Sequence, residues 1–249
     1  MARLARVVIP GLPHLITQRG NGRNRVFFSD EDYAFYCDLL VENCDAADVA
    51  IWAWCLMPDH VHLILVPSDA DGLRRALARV HRRYAGSVHA RKNRTGHFWQ
   101  GRFGAVVLAD DYLAAAMRYV SLNPVRARLV KRATAWRWSS TRAHVNHKDD
   151  GVTAHAPVRR RFRDFATLLD DEPENDLFVR LRQAESIGRP LGSDEFLTRI
   201  ERQTGRTLKA AKRGPKPKAK TKAKTKTKSK SKKQSRKSAR KSRGLRSTT

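Results

Sequence analysis

Two histidines separated by one residue could form part of a metal-binding or catalytic site. His60 and His62 lie in the run MPDHVHLILVP, which is apolar enough for a β-strand. Side chains at i and i+2 of a strand project from the same face, so both imidazoles could bind one metal ion. The alternative is a pair of surface or packed histidines, because the triplet alone is a weak signal. Two histidines also leave the coordination shell incomplete, so a metal site requires a third ligand.

A second pair of polar residues could complete such a site. Tyr119 and Asn123 are four residues apart in a helical segment, which makes them neighbours on one face. An amide oxygen is a hard ligand suited to Mg²⁺ or Mn²⁺, and a phenol beside it could attack a phosphate polarised by that metal. The alternative is a core tyrosine and an asparagine that ends the helix before Pro124. Tyr112 shares nearly the same face as Tyr119, but lies about 10 Å further from Asn123 along the axis.

Basic and aromatic residues in three other segments are typical of nucleic-acid contacts. One is a Gly/Asn-rich basic loop, for which a solvated loop is the alternative, and another is the basic face of an amphipathic helix. The third is the cluster HFWQGRF, which could stack single-stranded bases, although its phenylalanines could equally be core. The candidate DNA-binding residues are Arg19, Arg23, Arg25, Arg82, Arg83, Trp99 and Arg102.

The apolar pattern predicts the elements that must position these side chains. Strands are predicted over 6–17, 49–56, 60–66 and 105–108, and helices from Ser29 through Cys44, from Leu73 through Tyr84 and from Asp110 to near Asn123. A polar, basic connection is expected at 89–96. The order β-α-β-β-α-β-α predicts an α+β protein with a ferredoxin-like β-α-β-β-α-β core and one extra C-terminal helix, which carries Tyr119.

The charge is large and unevenly placed. The 249 residues carry a net charge of +27, and 19 of the 51 Lys and Arg lie in residues 207–249, where there is no acid. We therefore expect three parts: a folded domain over 1–147, a small helical appendage over 148–206, and a disordered basic tail over 207–249 that binds DNA. Charge of this density predicts a polyanionic partner, either nucleic acid or an anionic membrane surface.

Cysteine usage and hydropathy predict a cytoplasmic protein. The three cysteines, Cys37, Cys44 and Cys55, are odd in number and form no CxxC pair, so neither a disulfide framework nor a cysteine-based zinc site is indicated. Apolar runs stay shorter than the roughly 18 residues that a membrane helix needs, and prolines interrupt the start before a signal peptide could form. Together with the DNA-binding tail, this predicts a protein that is associated with the nucleoid and has no membrane partner.

Five motifs in order resemble one family. PGLPHLITQRGNGRNRVFF, AWCLMPDHVHLILVP, HFWQGRF, YVSLNPVRARLV and WRWSSTRAH are similar to the REP-associated tyrosine transposases, which are single-strand DNA transposases of the HUH class with one catalytic tyrosine. The resemblance spans residues 7–145, and GRPLGSDEFLTRIERQTGR resembles a segment found behind that domain in some members. Five ordered motifs are far more specific than any one of them.

The resemblance implies roles for individual residues. The HUH pair falls on His60 and His62, the nucleophile on Tyr119, and the third metal ligand on Asn123, where related insertion-sequence enzymes often carry glutamine. Asp59 stands where asparagine or glutamate is common, and could orient a ligand imidazole or be an exposed turn carboxylate. Glycine is common at the position of Arg128.

The activity that the resemblance implies is metal-dependent single-strand DNA cleavage and strand transfer with Mg²⁺ or Mn²⁺. The substrate would be single-stranded or hairpin DNA from repetitive palindromes, and the intermediate a 5′-phosphotyrosine. The alternative is a non-catalytic protein, derived from such an enzyme, that binds hairpin or duplex DNA. A homodimer that exchanges tyrosines between subunits remains open beside a monomer.

Overall fold

A computed structural model describes residues 6–170 and 175–209 of the chain, and all of them belong to one compact unit. The strands are β1 (His14–Arg19), β2 (Val49–Met57), β3 (His60–Pro67) and β4 (Gly104–Val107). The helices are α1 (Asp30–Asp45), α2 (Gly72–Lys92), α3 (Asp110–Ser121), α4 (Asn123–Arg126), α5 (Thr141–Asn146), α6 (His155–Arg161), α7 (Phe165–Asp170), α8 (Asn175–Ile187) and α9 (Asp194–Thr204).

The four strands form one antiparallel sheet in the order β2-β3-β1-β4. Helix α1 connects β1 to β2, α2 connects β3 to β4, and α3 follows β4. This is the β-α-β-β-α-β order of a ferredoxin-like α+β fold with one extra helix after the last strand. The predicted fold class is confirmed.

Strand β3 shows how the sequence divides the interior into two layers. Val61 and Leu63 are fully buried in a cluster with α1 and α2 on one side of the sheet. Ile64 belongs to a second cluster on the other side, with α3 and α8. Because side chains alternate along a strand, His60 and His62 share the side of Ile64. The extra helix therefore packs on the face that carries the two histidines.

The first strand begins later than predicted. The apolar pattern predicts a strand over 6–17, but β1 starts at His14, because two prolines and Gly11, at φ 74°, turn the chain first. Val7 and Ile9 are instead buried against Phe196 and Ile200 of α9. The apolar residues at the start therefore pack between α9 and β4 without forming a strand.

Two helix ends also differ from the prediction. Helix α2 continues through Lys92, into the predicted polar connection, and ends at Asn93 in the left-handed conformation, a common helix terminator. Helix α3 ends at Ser121, and α4 begins at Asn123 with Pro124 in its first turn. Proline fits there because the first N–H groups of a helix have no helical partner.

The segment predicted as a small helical appendage is helical and packs on the sheet domain. Val158, Phe165 and Phe178 are buried in the same cluster as the apolar side of α3. Leu208, the second residue of the predicted basic tail, is buried as well. Residues 210–249 of that tail lie outside the described residues. Within the described ranges, no helix is both long and apolar enough to cross a membrane.

Candidate active site

The two histidines of the HVH triplet lie side by side at the start of β3. His60 is 7% exposed and His62 is 1% exposed. Their ring centroids are 4.8 Å apart, with the rings nearly perpendicular. The strand geometry predicted from the sequence therefore brings both imidazoles to one face of the sheet.

Tyr119 and Asn123 meet the histidines across the interface between the sheet and α3. The Tyr119 ring centroid is 5.3 Å from that of His62, and Asn123 follows where α3 gives way to α4. All four side chains line one cavity of about 530 Å³. Tyr112 is not among the residues lining this cavity, and its hydroxyl accepts a hydrogen bond from Arg180 at 3.1 Å. Tyr119 therefore lines the cavity and Tyr112 does not, a distinction that helical periodicity could not make.

A carboxylate holds His60 through its Nδ1 atom. Asp59 Oδ1 lies 2.5 Å from His60 Nδ1, and Asp59 Oδ2 lies 2.9 Å from the guanidinium of Arg19. Asp59 is therefore engaged with the histidine, unlike a free turn carboxylate. Burial lowers the pKa of His60 to about 4, although the hydrogen bond to Asp59 opposes the shift. At neutral pH the ring is uncharged, which is the form that can bind a metal ion.

Glu185 of α8 is a site residue that the sequence patterns did not predict. Its Oε1 atom accepts a hydrogen bond from the Thr17 hydroxyl at 2.6 Å and lies 3.1 Å from His62 Nδ1. Its Oε2 atom accepts one from the Tyr119 hydroxyl at 3.3 Å. Burial works against ionisation of this carboxyl, but His62 and the three hydrogen bonds outweigh it and lower its pKa. Glu185 is therefore an ionised group in contact with both halves of the site.

The sequence does contain a signal for Glu185. Phe178, Leu181 and Glu185 fall at i, i+3 and i+7, so the carboxylate continues the apolar stripe of α8. An acid on the buried face of a helix needs polar partners. Reading residues 148–206 as an appendage hid this signal, because such a segment is not expected to reach the sheet.

The hydroxyl of Tyr119 is strongly held in its neutral form. Burial raises the pKa of Tyr119 well above its ordinary value, and the charge of Glu185 raises it further, whereas Arg182 lowers it. The guanidinium of Arg126 lies 5.2 Å from the centroid of the Tyr119 ring and 5.0 Å from the centroid of the Phe178 ring. Two cations thus surround the phenol, and one carboxylate accepts its hydrogen bond.

The structure brings three of the seven predicted DNA-binding residues to the cavity. Gln100 and the predicted Arg19, Arg23 and Arg102 line it beside the histidines. The indole N–H of Trp99 donates to the His81 carbonyl at 2.9 Å, so this ring is tied to the α2 side of the sheet. The others lie away from the cavity lining: Arg25, Arg82 and Arg83.

The residues at the cavity fit a divalent cation. The hydrogen bonds of both imidazoles engage Nδ1, which leaves Nε2 of His60 and of His62 as nitrogen donors. The amide nitrogen of Asn123 is buried and has no hydrogen-bond partner among the described residues. No hydrogen bond from that nitrogen therefore holds the amide away from an orientation in which its oxygen binds a metal ion. Two nitrogens and one amide oxygen make a mixed donor set with open positions for substrate.

Another group with metal-ligand chemistry lies outside this cavity. Asp149, Asp150 and His155 place possible ligand atoms within 4.8 Å of one another. Asp150 already accepts hydrogen bonds from the backbone of Val152 and Thr153 and from the indole of Trp54. Through these hydrogen bonds, Asp150 orders its own loop, which explains the residue without a metal ion.

Comparisons with known proteins find transposases. Residues 13–123 match the family described as Transposase IS200 like. A Haemophilus influenzae protein assigned as a REP-associated tyrosine transposase is 26% identical over 110 residues, which are 40% of this chain and 62% of that protein. The chain thus spans less than two thirds of that relative. A solved structure of a REP-associated tyrosine transposase bound to a REP hairpin shares the fold, with a TM-score of 0.51, 22% identity, and coverage of 62% of this chain and 90% of the other. The resemblance seen in the sequence is confirmed.

Proposed function

We propose that this chain, whose residues 13–123 match the IS200-like transposase family, is a metal-dependent single-strand DNA endonuclease and strand transferase. The observation that carries the proposal is the shared cavity of His60, His62, Tyr119 and Asn123. A nucleophile beside a ready set of metal ligands is the arrangement that phosphoryl transfer through a covalent intermediate requires.

In this proposal His60, His62 and Asn123 hold Mg²⁺ or Mn²⁺, which when bound would neutralise charge on the scissile phosphate. The Tyr119 oxygen loses its proton and attacks phosphorus in line, the bond from phosphorus to the 3′ oxygen breaks, and that oxygen takes up a proton and leaves as the 3′ hydroxyl. The 5′ phosphate stays joined to Tyr119. One phosphodiester replaces another, so the 3′ hydroxyl of a different strand can reverse the step and complete strand transfer.

The arginines that line the cavity support binding of the DNA backbone. Arg19, Arg23 and Arg102 lie at its rim with Arg182, which also favours the ionised phenol of Tyr119. Guanidinium groups bind phosphate oxygens with charge-assisted hydrogen bonds. A phosphate drawn into the cavity by these groups would come to rest against the tyrosine.

Hairpin and single-stranded DNA are the substrates that we propose, in line with the family and with the REP hairpin in the similar solved structure. The 19 basic residues of 207–249 would add contacts to phosphates that weaken with salt. A protein acting on chromosomal DNA would work at the nucleoid. Within the single chain described, His60, His62, Tyr119 and Asn123 line the same cavity.

The test uses palindromic DNA from beside the gene that encodes this chain. Labelled single strands carrying these hairpins are incubated with the full-length protein and Mn²⁺, Mg²⁺ or EDTA, and cleavage is followed on denaturing gels. We expect cleavage with metal and none with EDTA. Tight hairpin binding without cleavage under any metal condition would favour the non-catalytic alternative.

A further inference from the structure

Glu185 joins three elements of the site through one carboxylate. Thr17 is on β1, His62 on β3 and Tyr119 on α3, and each has a polar hydrogen-bonding atom within 3.3 Å of a carboxylate oxygen. The side chain is only 14% exposed, so water does little to replace these partners. A buried charge with three partners fixes their relative positions.

The contact with His62 determines which ring nitrogen carries the hydrogen. An ionised carboxylate only accepts hydrogen bonds, so an unprotonated Nδ1 at 3.1 Å would face it lone pair to lone pair. The Thr17 hydroxyl donates to Glu185, and its oxygen, 3.3 Å from the same nitrogen, is likewise placed to accept. Both contacts favour hydrogen on Nδ1, which leaves the lone pair of the neutral ring on Nε2.

The same arrangement occurs at the neighbouring histidine. Asp59 lies against Nδ1 of His60, as Glu185 lies against Nδ1 of His62. Asp59 adjoins its histidine in sequence, whereas Glu185 arrives from the C-terminal helix α8. Carboxylates in this position fix the tautomer and orientation of metal-binding histidines and raise their basicity.

A role for Glu185 as a direct ligand fits less well. Among the described residues, Asp149, Asp150 and His155 form the one group of three His, Cys, Asp or Glu with ligand atoms within 4.8 Å of one another. Glu185 and the two histidines do not make a second such group. Its oxygens also already accept hydrogen bonds from Thr17 and Tyr119.

We propose that Glu185 is a positioning residue: it holds His62 with hydrogen on Nδ1 so that Nε2 faces the metal site, and it fixes the hydroxyl of Tyr119 beside that site. The inference rests on the proposed function and assigns a task to α8, which lies outside the segment that matches the family. The histidine pair would then depend on a helix that follows the nuclease core in sequence.

The test compares Glu185→Gln with Glu185→Ala in the full-length protein. A glutamine oxygen can accept from His62 and Thr17, and its amide can donate to Tyr119, so all three contacts survive without the charge. We expect the Mn²⁺ affinity, measured by calorimetry, to fall less than about threefold in Glu185→Gln and on the order of 10- to 100-fold in Glu185→Ala. Gln183→Ala, an exposed change on the same helix, should bind Mn²⁺ like the unaltered protein.

A second readout needs no variant. Long-range ¹H–¹⁵N NMR of the metal-free protein reports which nitrogen of His62 carries hydrogen, and we expect Nδ1. Hydrogen on Nε2 would overturn the proposal, as would equal losses of Mn²⁺ affinity in both Glu185 variants, unchanged affinity in Glu185→Ala, or tighter binding there. If the unaltered protein bound Mn²⁺ but cleaved no DNA, the proposed function would fail while the positioning role stood.

Discussion

The two faces of the sheet are made by the same strands but are built for different tasks. On the α1 and α2 side, Val61 and Leu63 lie in a continuous apolar core. On the α3 and α8 side, the alternate residues of the same strand, His60 and His62, line a polar cavity. Neighbours on one strand therefore stabilise the fold or serve the site according to the face they point to.

The buried histidines show the same division. His81 on α2 is packed against Trp99 and Phe103, with the hydroxyl of Tyr36 at 3.1 Å from its Nε2 atom. His62 is just as buried but has Glu185 at its Nδ1 atom. Both histidines are therefore buried, and what sets His62 apart is that it lines the cavity shared with Tyr119 and Asn123, whereas His81 does not.

The largest effect is expected at His62. In His62→Asn the side-chain amide nitrogen occupies about the place of Nδ1, so the hydrogen bond to Glu185 is kept while Nε2 is removed. DNA cleavage should fall on the order of 100-fold or more because a metal ligand is lost. Thermal unfolding should stay close to that of the unaltered protein. Cleavage within a few-fold of normal would show that this face holds no metal through His62.

The neighbouring residue should show the opposite behaviour. Leu63 is fully buried in the apolar core, so Leu63→Ala should lower the free energy of unfolding by about 2–5 kcal/mol through lost burial and a residual cavity. Mn²⁺ binding by the folded protein should change little, which calorimetry at low temperature would show. If Leu63→Ala instead removed Mn²⁺ binding without lowering stability in urea titrations, the division between faces would be wrong.

A smaller, pH-dependent effect is expected at His81. Burial, with a lesser contribution from Arg6, lowers the pKa of His81 from 6.5 to about 3. The unfolded chain takes up a proton there below pH 6.5 and the folded chain does not, so stability present above pH 6.5 is lost as the pH falls toward 3. At pH 5, protonation of His81 in the unfolded chain should lower the free energy of unfolding by about 2 kcal/mol.

The control for that effect is His81→Gln, whose amide can still reach the Tyr36 hydroxyl but does not titrate. Urea unfolding at pH 7 and pH 5 should show a smaller loss of stability in the variant than in the unaltered protein. An identical loss in both proteins would mean that His81 is protonated equally in the folded and unfolded chains.

Local patterns in the sequence were enough to predict the core of the fold and part of the site. Alternation along β3 placed both histidines on one face, and helical spacing placed Tyr119 near Asn123. Glu185 was missed because its contact with His62 is long-range, and periodicity carries no information about which distant helix packs on a sheet. The late start of β1 has a similar cause, since Val7 and Ile9 pack on α9.

For the same reason, only some of the arginines predicted to bind DNA line the cavity. Arg23 and Arg102 reach the cavity because the loops that carry them flank the ends of β1 and β4. Arg82 and Arg83 lie on α2, which packs on the other face of the sheet, so their helical spacing gave no indication of their distance from His60. Sequence composition identified basic segments but not the face on which each one lies.

If Tyr119 is the nucleophile on the polar face, Tyr119→Phe should be unable to form a covalent adduct with DNA. Tyr112→Phe is the matched control, since it removes the other hydroxyl of α3, which contacts Arg180. With a labelled hairpin oligonucleotide and Mn²⁺, denaturing gels should show no covalent 5′ adduct in Tyr119→Phe, with hairpin binding retained, and a near-normal adduct in Tyr112→Phe. An adduct that persists in Tyr119→Phe, or that is lost only in Tyr112→Phe, would contradict the account.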